Sequence, residues 1–154
     1  LTGNIDLPRF QQAWRQLFAH CDILRTGLSP DNRHAPLQLV YRQIDLPWRY
    51  LDWQQQTPPL QQAAWQSLLQ QDRQQGFELT RAPLMRLQLI CLAPGNYRFL
   101  WSYHPLLLDS QSRRRLLLQV SEFYRGTYDL IRQPPAPRFA DFIRWLDSSD
   151  CRAT

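Results

Sequence analysis

The stretch Trp101-Ser102-Tyr103-His104-Pro105-Leu106-Leu107-Leu108-Asp109-Ser110-Gln111-Ser112 joins two kinds of periodicity. Upstream, residues 97–103 are aromatic and β-prone, and they follow the turn signal Pro94-Gly95-Asn96. Residues 84–92 precede that turn, with Arg86 and Gln88 facing one way and Leu87 and Leu89 the other. The two runs predict a β-hairpin. Downstream, Leu116, Leu117, Val120, Phe123 and Tyr124 form one apolar side, predicting a long helix that ends near Tyr124. Residues 104–110 remain as a loop. A histidine at a strand end, beside a loop carrying Asp109, is a common setting for functional groups.

The flanks extend the pattern. Asp6 can cap a helix that tolerates Pro8 in its first turn. Phe10, Ala13, Trp14, Leu17 and Phe18 then make one buried stripe. Residues 23–28 and 37–44 predict strands on either side of the turn cluster Ser29-Pro30-Asp31-Asn32. Residues 46–53 are aromatic-rich and read as extended or irregular. A second helix is predicted over 60–75, stopped by Gly76. Pro134-Pro135-Ala136-Pro137 reads as a stiff linker, and 139–146 as a last short helix. The predicted class is α+β, with a mixed or antiparallel sheet packed with helices.

Composition narrows the function classes. A length of 154 residues suits one domain or a large piece of one. With 44% hydrophobic residues the chain can build a core, which excludes intrinsic disorder. No apolar run approaches the ~18 residues of a membrane span. Residues 1–10 lack a signal-peptide pattern, so a cytoplasmic protein without a membrane partner is expected. The formal charge is +5, and all 18 basic residues are arginine. They are scattered from Arg9 to Arg152, and the run Arg113-Arg114-Arg115 reads as a solvated helix start, so no nucleic-acid partner is expected. Cys21, Cys91 and Cys151 are odd in number and lack metal-ligand spacing, which reads as buried or inert thiols. Three histidines remain. His34 lies in a turn-rich loop and His20 at a helix end that favours a cation, both structural or solvated settings. No nucleophile stands out, and neither a glycine-rich phosphate loop nor a metal constellation is present.

The run 101–112 resembles the core motif of condensation domains of nonribosomal peptide synthetases: His-His, three residues, then Asp-Gly. Other blocks agree in order. Leu1-Thr2-Gly3-Asn4-Ile5-Asp6 is similar to the family's entry to its first helix, and Leu24-Arg25-Thr26 to its Leu-Arg-Thr block. Pro36-Leu37-Gln38-Leu39-Val40, Leu46-Pro47 with Asp52-Trp53, and Phe77-Glu78-Leu79 with Ala82-Pro83-Leu84-Met85-Arg86-Leu87 match further blocks. Phe139-Ala140-Asp141-Phe142 with Trp145 resembles the last. The resemblance implies a chloramphenicol-acetyltransferase-like fold of two lobes with a tunnel between them. Residues 1–154 would correspond to the N-terminal lobe, with the C-terminal lobe absent and the Pro-rich linker near 134–137.

The resemblance also implies an activity: amide bond formation between a carrier-bound thioester and an aminoacyl amine. No cofactor is expected to bind directly; the substrates ride on the phosphopantetheine of carrier proteins. The second histidine of the motif is the family's catalytic group, and here it is Pro105. Its ring holds no titratable group, so no catalytic residue is intact. His104 matches the structural histidine and is expected to face the core, since neighbours on a strand point to opposite sides. Ser110 replaces the glycine, which tests its tolerance of close backbone approach. Asp109 is retained, and its family partner would be Arg25, whose plain alternative is an ordinary surface arginine. No metal ligand is expected. An inactive scaffold, interface or truncated remnant is therefore expected, against the alternative of an active condensation domain within a larger synthetase. Expected partners are a carrier protein, adjacent synthetase domains or a missing lobe. Self-association is expected through an apolar sheet face left open by that lobe.

Overall fold

The computed structural model describes residues 1–29 and 37–128. His34, Cys151, most of the turn cluster after Ser29, the 134–137 linker and the 139–146 helix lie outside the described residues.

Helix α1 spans Leu7–His20. Asp6 caps it, its carboxylate accepting from the Arg9 N–H at 3.0 Å, and Pro8 lies in the first turn. The stripe Ala13, Trp14, Leu17 and Phe18 is buried. A 3₁₀ turn, Asp22–Arg25, follows and leads into β1, Thr26–Leu28. The strand expected from residue 23 therefore starts later. The Leu24 N–H bonds the Cys21 carbonyl and the Thr26 hydroxyl bonds the Asp22 carbonyl, which closes the turn locally. β2, Gln38–Val40, pairs antiparallel with β1 and is shorter than the 37–44 expectation.

β3, Trp48–Asp52, lies in the segment read as extended or irregular. It pairs in parallel with β4, Met85–Ala93. Such long-range pairing leaves no local turn signal. β4 returns through the predicted turn as β5, Asn96–Tyr103, completing a mixed sheet ordered β3-β4-β5. Helix α2, Pro58–Gln75, ends at Gly76, whose positive φ of 53° suits glycine. Helix α3 spans Ser110–Arg125. Its buried stripe is Leu116, Val120 and Phe123, narrower than expected, because Leu117 is 45% exposed.

The main core lies between α1, α3 and one face of the sheet. Met85, Leu87 and Leu89 of β4 are at most 1% exposed, and Leu87 and Met85 join Trp14, Leu17, Leu24, Leu116 and Val120 in one cluster. The indole N–H groups of Trp14 and Trp101 are buried without an oxygen or nitrogen partner. The two rings meet edge to face at 5.0 Å and 69°, a geometry in which an N–H can address a π face.

The opposite sheet face is also covered, which corrects the expected open apolar face. α2 buries one residue fully, Leu68, and is held there largely by polar contacts. Arg86 on β4 donates to the Asp72 carboxylate at 3.0 Å and to the Gly76 and Asp72 carbonyls, with its guanidinium over the Phe77 ring. Arg98 on β5 reaches Gln62 and stacks over Trp65. Beneath this layer Ile90 is 0% and Gln88 8% exposed.

Candidate functional site

β5 and α3 position the motif. At the end of β5 the His104 N–H still bonds the Leu84 carbonyl at 2.9 Å, and the strand stops there. The His104 carbonyl accepts from the Leu107 N–H at 3.0 Å, closing a four-residue turn. Pro105 is the second residue of that turn. There its fixed φ is favoured and its missing N–H costs nothing. Leu107 and Leu108, 7% and 6% exposed, leave the turn for the core cluster and anchor it.

His104 is half-buried at this turn rather than set in the core, which corrects the expectation. The strand alternation that predicted its direction ends at Tyr103. Its Nδ1 accepts from the Leu106 N–H at 3.2 Å. In the neutral ring that bond places the proton on Nε2, so the ring's one free lone pair is already engaged.

Asp109 starts α3. Its carboxylate accepts from the Ser112 N–H at 2.6 Å, and its carbonyl from Arg113 at 3.0 Å. The Ser112 backbone N–H, then the Ser112 hydroxyl, holds the carboxyl below its usual range, although the group is fully exposed. Ser110 is the first residue of the helix and is exposed. Among the described residues positive φ occurs at glycines alone, so serine is unstrained at this position.

The structure does not join Asp109 to Arg25. Arg25 is 9% exposed and directs all five N–H groups elsewhere. Nε donates to the Phe18 carbonyl at 3.1 Å, and Nη2 to the Ala19 carbonyl at 3.3 Å and the Asp22 carboxylate at 2.6 Å. Nη1 serves the Tyr41 and Arg42 carbonyls. Arg25 is thus neither the partner of Asp109 nor a surface arginine. It plugs the C-terminal end of α1 and ties it to the segment after β2.

Other candidates take structural places. His20 Nε2 lies 3.1 Å from the Tyr128 hydroxyl, joining the end of α1 to the chain leaving α3. Burial, then the Asp22 charge, pushes the Cys21 thiol up to about 11, which keeps it protonated and unreactive. Cys91 is buried as well. The sequence reading missed the Leu107 and Leu108 anchors and the Arg86–Asp72 clasp. The leucine pair inside the loop was the available signal for the first.

The comparisons with known proteins bear on the family and the fold. The family description "Condensation domain" matches residues 1–152. A linear gramicidin synthase of Brevibacillus parabrevis is 36% identical over 100% of this chain, which spans 2% of that protein. Bacitracin synthase 3 of Bacillus licheniformis is 29% identical over 97% of this chain, which spans 2% of it. The chain therefore corresponds to a small part of these curated relatives. Among solved structures, the starter condensation domain of rhizomide synthetase RzmA is 26% identical, with a TM-score of 0.70 over 89% of this chain and 34% of that one. The EpoB cyclization-docking bidomain from Sorangium cellulosum superposes with a TM-score of 0.82 at 20% identity, over 96% of this chain and 29% of that one, which shows the fold. The fold is α+β of the chloramphenicol-acetyltransferase-like type, and the chain belongs to the condensation domain family of nonribosomal peptide synthetases.

Proposed function

We propose that this chain is the N-terminal lobe of a condensation domain that no longer catalyses amide bond formation at its motif and serves as a scaffold or interface. The observation that carries the reading is the state of the motif's nitrogen bases. A general base needs a free lone pair on a group titrating near neutrality. Pro105 supplies none, and the lone pair of His104 already accepts from Leu106. Asp109 is committed to capping α3. Loss of a general base costs ~10²–10⁴-fold in rate. The lobe assignment is supported by the extent of the match, since the chain spans 34% and 29% of two solved relatives. In this reading the partners are the complementary lobe, adjacent synthetase domains and a carrier protein bearing phosphopantetheine, in a cytoplasmic assembly. No helix among the described residues is long and apolar enough to cross a membrane.

The test is a condensation assay on the intact parent domain with donor- and acceptor-loaded carrier proteins, read by mass spectrometry of the released product. No dipeptide above the blank is expected. Turnover by the natural sequence that vanishes in Pro105→Ala would sink the reading and favour an active domain working through another arrangement of groups.

A further inference from the structure

The two faces of the mixed sheet are covered by layers of different make. On one side α1 buries Ala13, Trp14, Leu17 and Phe18, and α3 buries Leu116, Val120 and Phe123. On the other, α2 runs for 18 residues and buries Leu68. Removal of apolar surface from water holds α1 and α3 in place, and it holds α2 far less.

What fastens α2 is polar and lies toward its two ends. Near the start, the Gln61 carboxamide donates to the Trp53 carbonyl at 3.0 Å and to the Leu92 carbonyl at 2.8 Å. Gln62 accepts from Arg98 at 3.0 Å, and that guanidinium lies over the Trp65 ring. Near the end, Arg86 clasps the Asp72 carboxylate and the Asp72 and Gly76 carbonyls. The Arg86 and Asp72 side chains are 18% and 11% exposed, so the clasp is shielded from water.

The layer between these fastenings is polar as well. Strand alternation turns Arg86, Gln88 and Ile90 of β4 toward α2, with Arg98 of β5 opposite Ile90. Gln88 therefore lies under the middle of the helix. Gln88 Oε1 and Arg98 Nη1 are buried there without a hydrogen-bond partner among the described residues. A sealed polar atom without a partner raises the free energy of the closed layer, and hydration lowers it again once the layer opens.

We propose that α2 is a strap that undocks from the sheet as one unit, between Thr57 and Gly76, while the α1 and α3 side stays folded. Undocking gives up chiefly the burial of Leu68 and Ile90 and wets Gln88 Oε1 and Arg98 Nη1. The Arg86–Asp72 clasp opposes it. The open form bares Ile90 beside two guanidiniums, Arg86 and Arg98. This sheet face is thus kept closed by charge and hydrogen bonds, whereas the other is kept closed by an apolar core. The inference is independent of whether the motif is catalytic.

The experiment is native-state amide hydrogen exchange on the full 154-residue chain across low urea concentrations, read by peptide mass spectrometry. The α2 amides should exchange at least about tenfold faster than those of α1. Their rates should also rise less steeply with urea, because undocking one helix exposes less surface than global unfolding. Arg86→Gln removes the charged clasp and should speed the α2 amides by about a further tenfold, with the α1 amides unchanged. Gln88→Leu removes the unpaired carboxamide at similar volume and should slow the α2 amides several-fold, again with α1 unchanged. Equal rates and urea slopes in α1 and α2 would overturn the proposal. So would an Arg86→Gln chain in which both helices speed up alike, or a Gln88→Leu chain in which α2 exchanges as fast as before.

Discussion

The end of α1 and the start of α3 each set a charged side chain against a helix terminus, in opposite surroundings. At the end of α1, Arg25 is buried and serves four carbonyls and the Asp22 carboxylate. At the start of α3, Asp109 caps from open solvent with one short bond to Ser112. The end of α2 repeats the first arrangement, with Arg86 and Asp72 in the same roles. The difference separates two functions of charge. The arginines hold the scaffold together, while the motif's own polar groups sit outside the core. The motif turn is kept in place by its leucines.

Breaking the α1 plug should have the largest effect. Arg25→Ala strips four carbonyls and a carboxylate of their donor, and a loss of about 3 kcal/mol is expected in urea unfolding. Arg25→Lys should recover only part, because a point charge does not reproduce the planar fork. A loss below about 0.5 kcal/mol would erase the contrast between the two helix ends. Next comes Leu108→Ala, which tests the turn's anchor and should cost about 2–3 kcal/mol. If it proves neutral, the turn is held by something other than the core.

Smaller effects sharpen the other side. Pro105→Ala frees the unfolded chain at a turn position suited to proline, so a loss of about 0.5–1 kcal/mol is expected in thermal unfolding. A larger loss would mean that Pro105 has become part of the scaffold. The smallest effect belongs to Asp109. Its folded pKa lies below the ordinary 3.8, so its contribution is present above that value and fades as pH falls through the lowered one. Asp109→Asn keeps a capping oxygen without the titration. Its melting temperature should therefore fall less steeply with acid than that of the natural chain, and parallel curves would remove this role.

These contrasts follow what could be seen in the sequence. Asp6, Pro8 and the stripe from Phe10 to Phe18 announced α1, because caps and periodicity are local signals. The hairpin around Gly95 and the loop over 104–110 were equally legible. Arg25 was singled out but given the wrong partner. Its true acceptors are mostly backbone carbonyls, which every residue offers and no sequence marks. β3 was missed as a strand because its parallel partner lies far along the chain. His104 was misplaced because the alternation rule was carried one residue beyond the strand. Leu117 was assigned to the buried side because spacing alone does not set how wide that side is.

The burial of Leu107 and Leu108 bears on descent as well as on shape. Selection for a folded chain alone would retain those leucines, whether or not any product were formed. Position 105 lies between the strand and its anchors and is exposed, so its side chain weighs far less on the fold than those of the two leucines.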